Sequence, residues 1–75
     1  MFNQNKFSQR IKELRIGHGL SQEALGDIIG ISKPAVSDIE RMRRTTTIEK
    51  LAELASYFNV SSDYLLGLSD DPTRH

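Results

Sequence analysis

The chain has 75 residues with ten basic and ten acidic side chains, so its formal net charge is zero. This length fits one small domain and leaves no room for a separate cofactor domain. The sequence contains no cysteine, which excludes disulfide bonds and cysteine-based metal sites. No apolar run approaches the roughly 18 residues of a membrane span, and residues 1–10 lack the apolar centre of a signal peptide. We therefore expect a cytoplasmic protein.

The charges are unevenly distributed along the chain. Residues 1–46 contain eight bases and five acids, a net charge of +3, whereas residues 47–75 contain two bases and five acids, a net charge of −3. A molecule charged in this way presents one end to a polyanion. An ordinary scatter of solvated charges is the alternative explanation.

The first part of the chain predicts one amphipathic helix. Its apolar residues recur at intervals of four and three, which places them on one helical face; they are Phe7, Ile11 and Leu14. The segment Gly17-His18-Gly19 then ends the helix, because glycine tolerates the left-handed conformation that a helix stop requires.

Two short helices with serine caps are predicted next. The hydroxyl of Ser21 can cap a second helix over residues 22–29. Ser32 can cap a third helix over residues 33–41, and Pro34 lies in its first turn, where a missing N–H costs nothing.

A basic, threonine-rich loop over residues 42–47 precedes the fourth predicted helix. Thr46 and Glu49 have the spacing of a capping box at the start of this helix, and Asn59 suits a left-handed stop at its end. The predicted inward face consists of Ile48, Leu51, Leu54, Ala55 and Phe58.

The end of the chain predicts one more helix and a tail. Ser61 caps a short fifth helix that runs through Leu66. Five short helices joined by tight turns predict a compact all-α domain over residues 1–67. Residues 68–75 are acidic and contain Pro72, so we expect a short tail or linker stub there.

Residues 22–41 have the pattern of a helix-turn-helix, in which two helices cross at a large angle. Gly26 supplies a small residue where the helices approach each other, and Gly30 supplies the turn. The apolar residues that would seal both helices to the domain are Leu25, Ile29, Ile31, Val36 and Ile39. Because all these requirements are met within one short segment, the pattern is specific.

The segment resembles the phage lambda-repressor-like (Xre-type) helix-turn-helix family. The resemblance covers about residues 7–67 and includes Leu14-Arg15, Gly19-Leu20-Ser21-Gln22 and Val60-Ser61-Ser62-Asp63-Tyr64-Leu65-Leu66. It implies a five-helix domain that binds double-stranded DNA and acts as a transcription regulator of bacterial or phage type, most simply a repressor.

The resemblance implies that the third helix enters the major groove of DNA and meets base edges. The side chains expected there are Lys33, Pro34, Ser37 and Asp38. Lys33 can donate to guanine, Ser37 can pair with several bases, and the ring of Pro34 can pack on a thymine methyl. Asp38 can accept from cytosine, but it also repels phosphate. A solvated helix face is the alternative for these residues.

Phosphate contacts would position the domain without reading sequence. The resemblance assigns one contact to Gln22, at the N-terminus of the second helix. Arg41, Arg43 and Arg44 cluster after the third helix and are expected to contact phosphates or the minor groove, with a solubilising loop as the alternative. The resemblance also pairs Arg15 with Glu40 as a structural ion pair, which would fix the first helix against the third.

The sequence departs from the family pattern at four positions. Pro34 and Asp38 stand where the family commonly has a different, polar side chain, so the base preference cannot be carried over. Met42 replaces the usual glycine after the third helix, which predicts a less tight stop. Gly26 replaces the usual alanine, at a cost of about 1 kcal/mol in helix propensity.

Modules of this type usually bind as twofold dimers on half-sites about one helical turn apart. We therefore expect a homodimer on a palindromic operator. The expected interface lies at the C-terminal end of the domain and consists of Tyr57, Tyr64, Leu66 and Leu68.

No catalytic or ligand-binding constellation is evident. His18 lies between glycines at a helix end, where a histidine is usually a favourable charge for the helix dipole, and His75 is terminal. A phosphate-cradling glycine-rich loop is absent. We expect no enzyme activity, cofactor, metal or small-molecule ligand.

Three other functions are compatible with the same sequence. A protein-interaction module that has lost DNA binding would explain the zero net charge, Pro34 and Asp38. An N-terminal part of a longer repressor would explain Ser69-Asp70-Asp71-Pro72, which is typical of the start of a linker. An antitoxin or a restriction-modification controller would have the same pattern.

Overall fold

The computed structural model describes residues 1–74, which contain five α-helices and no strand. The helices are α1 (Gln4–Gly17), α2 (Gln22–Ile29), α3 (Lys33–Glu40), α4 (Ile48–Phe58) and α5 (Ser62–Leu65). The predicted all-α class and the number of helices are confirmed.

Every helix begins after a residue whose side-chain oxygen accepts a backbone N–H of the first turn, which satisfies one otherwise unpaired donor. These residues are Asn3, Ser21, Ser32, Thr47 and Ser61. The three serine caps were predicted, but the prediction of Thr46 as the cap of α4 is wrong. Oγ1 of Thr47 accepts from the amide of Lys50 at 3.2 Å, so the same capping geometry forms one residue later.

Three helix ends use the left-handed conformation that the sequence predicts. Gly19, which follows the C-cap of α1, has a φ of 69°. Gly30 follows α2 with a φ of 75°, and Asn59 follows α4 with a φ of 54°. The other two predicted ends shift by one residue. Arg41 and Leu66 are C-caps rather than the last residues of α3 and α5.

All five helices contribute to a single core, and the contribution of α5 is one fully buried leucine. The buried apolar residues are Phe7, Ile11, Leu25, Ile29, Ala35, Val36, Ile39, Leu54, Ala55, Phe58, Val60 and Leu65. The prediction that Ile48 belongs to the inward face of α4 is wrong, because this residue is 85% exposed. It occupies the first turn of α4, at the rim of the domain, where no second element covers it.

The segment after α5 folds back against the domain. The amide of Ser61 donates to the carbonyl of Pro72 at 3.1 Å. The carboxylate of Asp70 bridges Lys6 and Arg10 of α1. Residues 68–72 therefore lie along α1 and the start of α5.

Candidate nucleic-acid interface

The corner between α2 and α3 is held by close backbone contacts. The amide of Ile31 donates to the carbonyl of Gly26 at 2.9 Å. A Cβ atom on Gly26 would lie 2.5 Å from the carbonyl oxygen of Ile31, closer than real Cβ atoms come. The small residue in α2 is thus required by the backbone of the turn, which then leads into the cap of α3 at Ser32.

Helix α3 divides into a buried and an outward face. Its buried residues are Ala35, Val36 and Ile39. Lys33 and Pro34 are exposed at the first turn, whereas Ser37 and Asp38 are half-buried. The four residues expected to read bases are therefore on the accessible side of one helix.

Three exposed arginines follow this helix: Arg41, Arg43 and Arg44. Within residues 1–74, neither they nor Lys33 form an ion pair, whereas Lys6, Arg10, Arg15 and Lys50 do. The charge-neutralised bases lie on α1 and α4, and the bases of α3 and the following loop keep their charge available to a polyanion.

Glu40, the last residue of α3, is the centre of a buried polar network. Its carboxylate accepts from Nε of Arg15 at 2.6 Å and from Nη2 at 3.0 Å. It also accepts from Nε2 of Gln22 at 3.2 Å. The hydrogen bond to Glu40 raises the pKa of Arg15 above its ordinary value. Because the network joins α1, α2 and α3, it fixes the two helices of the motif relative to the rest of the domain.

The hydrogen bond between Gln22 and Glu40 was not anticipated from the sequence. It leaves the amide oxygen of Gln22 and one of its two N–H donors outside this contact. Gln22 stands at N1 of α2, where backbone N–H groups and the helix dipole favour an anion. One N–H of the side chain expected to contact a phosphate is thus engaged by Glu40, and the other N–H on the same nitrogen is outside this contact.

Two further contacts brace α3 and were missed in the sequence. The buried hydroxyl of Ser8 donates to the carbonyl of Ile39 at 2.6 Å. Nε2 of Gln4 donates to the carbonyl of Met42 at 3.1 Å. The contact of Ser8 could have been predicted from the sequence, because Ser8 precedes Arg15 by two helical turns and therefore lies on the same face of α1.

Met42 has a φ of 62°, the left-handed conformation that glycine adopts most readily. The chain therefore turns sharply after α3 despite the absence of the usual glycine. The amide of Met42 donates to the carbonyl of Ile39 at 3.1 Å, and the amide of Arg43 donates to that of Asp38 at 2.8 Å. The expectation of a looser stop is wrong here, because both hydrogen bonds close the end of α3.

Among the residues expected in the dimer interface, Tyr57 lies apart from Leu66. The ring of Tyr57 packs against Phe58 and His18, at the C-terminal end of α1. The ring of Tyr64 lies under the guanidinium of Arg10, with 4.0 Å between Cζ of Arg10 and the ring centroid. The carbonyl of Leu66 accepts from the amide of Asn3, at the other end of α1, and Leu68 is exposed in the tail. Since α1 has 14 residues and spans about 21 Å, Tyr57 and Leu66 are far apart.

Residues 1–74 contain neither a metal-binding cluster nor a membrane-spanning helix. No group of three or more His, Asp or Glu side chains there is arranged to hold a metal ion. None of the described helices combines the length and apolar character of a membrane span. The expectation for His75 lies outside the described residues.

Comparison with known proteins identifies the family. A family model described as Helix-turn-helix matches residues 11–65. An HTH-type transcriptional regulator of Bacillus subtilis, YobD, is 41% identical over 66 residues, which cover 88% of this chain and 59% of the relative. The chain thus spans little more than half the length of such curated relatives.

Two solved structures share the fold. The P22 c2 repressor in complex with a synthetic operator superposes with a TM-score of 0.76 at 35% identity, over 80% of this chain and 91% of the repressor chain. The restriction-modification controller protein C.AhdI from Aeromonas hydrophila superposes with a TM-score of 0.73 at 34% identity, over 83% and 94% of the two chains. The chain belongs to the helix-turn-helix family of the phage-repressor (Xre) type.

Proposed function

We propose that this domain binds double-stranded DNA sequence-specifically and regulates transcription, most simply as a repressor, with α3 in the major groove. One observation carries the proposal. The outward face of α3 and the loop after it expose four basic side chains that form no ion pair within residues 1–74: Lys33, Arg41, Arg43 and Arg44. The P22 c2 repressor, which shares the fold, is described in complex with operator DNA.

Base recognition is assigned to the first two turns of α3. Lys33 donates to guanine O6 or N7, and Ser37 pairs according to the base it meets. The exposed ring of Pro34 contacts a thymine methyl and has no donor of its own. Asp38 accepts from cytosine N4. A substitution of Lys33 or Ser37 should therefore change which sequence is preferred.

Phosphate contacts are assigned to Gln22, Arg41, Arg43 and Arg44. Gln22 uses the N–H that Glu40 leaves available, together with the N-terminal amides of α2. Neutralising a phosphate releases counterions, so log K should fall by about 0.9 per contact for each tenfold rise in salt. These contacts add affinity to every duplex alike.

A palindromic operator bound by a homodimer is the simplest target, because one small module makes few base contacts. The protein would act in the cytoplasm, where such an operator is accessible, and the proposed activity requires no catalysis, cofactor or metal.

Selection of bound sequences from a random duplex pool tests the proposal directly. We expect an enriched motif with two inverted half-sites about 10 base pairs apart. In a salt titration with nonspecific duplex, Arg43→Ala should lower the slope by about one relative to the wild type. Lys12→Ala, which removes an exposed base of α1, is the matched control and should leave the slope unchanged. A protein that ignores duplex DNA at low salt would instead be an interaction module that has lost DNA binding.

A restriction-modification controller is the second candidate, because this chain covers 94% of C.AhdI. The N-terminal part of a longer regulator is equally compatible with the proposal, since the curated relatives are longer. The genomic neighbourhood of the selected operator distinguishes these roles without changing the mode of DNA binding.

A further inference from the structure

Helix α1 presents a row of polar side chains to the end of α3. Gln4, Ser8 and Arg15 lie within about 40° of one another around the helix axis, because they are four and seven residues apart. The groups that they contact are close together in the chain: the carbonyl of Met42, the carbonyl of Ile39 and the carboxylate of Glu40. The row therefore fixes where α3 ends and in which direction the chain continues.

The peptide group between Met42 and Arg43 is held at both of its ends. Its carbonyl oxygen accepts from Nε2 of Gln4 at 3.1 Å, and its N–H donates to the carbonyl of Asp38 at 2.8 Å. Because a peptide group is planar, hydrogen bonds at its two ends fix its orientation. This peptide follows a residue with a φ of 62°, so it sets the direction of the chain that leaves the turn.

The arginine loop, residues 41–44, has few other restraints. Its three exposed cations form no ion pair within residues 1–74, and like charges repel one another. Among the residues that the structure describes, no side chain other than that of Gln4 donates to the backbone of residues 41–46. The orientation of the arginine loop therefore depends on a residue that lies 38 positions away in the sequence.

The segment that carries Gln4 is itself held in place. The amide of Asn3 donates to the carbonyl of Leu66 at 2.9 Å, which ties the start of α1 to the end of α5. A Cβ atom on Gly67 would lie 2.6 Å from the Cβ atom of Asn3, so the turn after α5 packs directly on the start of α1. Gln4 therefore donates its hydrogen bond from a fixed position in the domain.

We propose that Gln4 is a positioning residue for DNA binding, which holds the arginine loop in the orientation that contacts phosphates. This inference rests on the proposed function and adds a residue that acts through the loop and not by touching DNA. A loop that is ordered beforehand does not have to be ordered at the interface, so the cost of association falls. Because phosphate contacts carry no sequence information, Gln4 should raise the affinity for every duplex alike and leave the preferred sequence unchanged.

Gln4→Met tests the inference, because it keeps the length of the side chain and removes its donor. In the full chain without DNA, the amide of Arg43 should exchange its hydrogen about three- to tenfold faster, which is the range expected for the loss of one hydrogen bond. The affinity for the selected operator and for nonspecific duplex should fall by a factor in the same range. The matched control is Gln9→Met, which changes an exposed glutamine on another face of α1 and should alter neither measurement.

Combined variants separate positioning from an effect on the fold, and low salt keeps their binding measurable. When Arg43→Ala and Arg44→Ala are both present, Gln4→Met should weaken duplex binding by about twofold or less, because the side chains that it positions are gone. When Lys33→Ala is present instead, the full loss should persist. Equal losses in the two backgrounds would show that Gln4 acts through the fold and would overturn the assignment.

The possible failures are distinguishable. A wild-type chain that ignores duplex DNA at low salt would refute the proposed function. Normal binding by the wild type, together with unchanged hydrogen exchange of Arg43 in Gln4→Met, would refute only the positioning role. A loss of affinity for the selected operator alone, or an equal loss in Gln9→Met, would also contradict that role.

Discussion

Removal of the Glu40 carboxylate should destabilise the domain more than any other single change to a charged residue on α3. The side chain of Glu40 is only 4% exposed and that of Arg15 12%, so Glu40→Ala leaves a buried guanidinium without its partner. Breaking such a pair costs about 3–5 kcal/mol. The lower end applies, because Arg15 keeps its hydrogen bond to the carbonyl of Leu20 at 2.8 Å. A domain this small has a total stability of roughly 4–11 kcal/mol, so the loss is a large fraction of it.

Urea denaturation followed by circular dichroism measures this loss. With a slope of about 1 kcal/mol/M, the midpoint should fall by about 3 M. Asp38→Ala is the matched control, since it removes a half-buried carboxylate of the same helix that forms no ion pair within residues 1–74. Surface-type changes of that kind alter stability by about 0.5 kcal/mol. An unchanged midpoint in Glu40→Ala would refute the reasoning.

A double variant separates stability from positioning. Arg15→Met with Glu40→Leu removes both charges, and such replacements of buried pairs are often neutral or stabilising. We expect the urea midpoint to recover. DNA affinity should stay low, because Gln22 has lost the acceptor that holds its amide. Full recovery of affinity would show that Glu40 acts only through stability.

Two further predictions concern the turn after α3 and the tail after α5. Met42→Gly should raise the free energy of unfolding by about 0.5–1 kcal/mol, because the left-handed φ of 62° is costly for a residue with a side chain; a lower urea midpoint would contradict it. Asp70 should titrate below its ordinary pKa of 3.8, because hydrogen bonds from Arg10 and then Lys6 lower it. The ion pairs of Asp70 with Lys6 and Arg10, which attach the tail to α1, are therefore present above pH 3.8 and are lost as the pH falls through the lowered pKa. An NMR titration of the carboxyl checks this, and Arg10→Ala should move the midpoint back towards 3.8.

Most of the fold could be predicted from local sequence signals, because each helix carries its own start and stop. Ser21, Ser32 and Ser61 are caps in sequence and in structure. The error at Thr46 has a local cause: three consecutive threonines offer equivalent hydroxyls, and α4 begins one residue later than predicted, with Thr47 as its cap. The error at Ile48 has a different cause, since helical periodicity identifies the inward face of a helix but not where the neighbouring elements that cover it end.

In the candidate site, the sequence could predict which residues lie on the outward face of α3, but not the contacts that depend on how the helices are arranged. The outward face of α3 follows from the inward positions of Val36 and Ile39. The third member of the network, Gln22, could not be anticipated, because its contact with Glu40 depends on the angle between two helices. The same holds for the dimer residues, whose separation along α1 is a property of the tertiary structure.

A net charge of zero would ordinarily weaken the case for DNA binding, but the structure explains how a neutral chain can present a basic surface. Glu40 is paired with Arg15, so its carboxylate does not offset the unpaired bases of α3 and the loop after it. Asp70 neutralises Lys6 and Arg10 on α1, outside the proposed contact surface. Buried and paired acids contribute to the formal sum but little to the field at α3. The charge that a polyanion meets is therefore set by which acids are paired, and the composition alone does not contain that information.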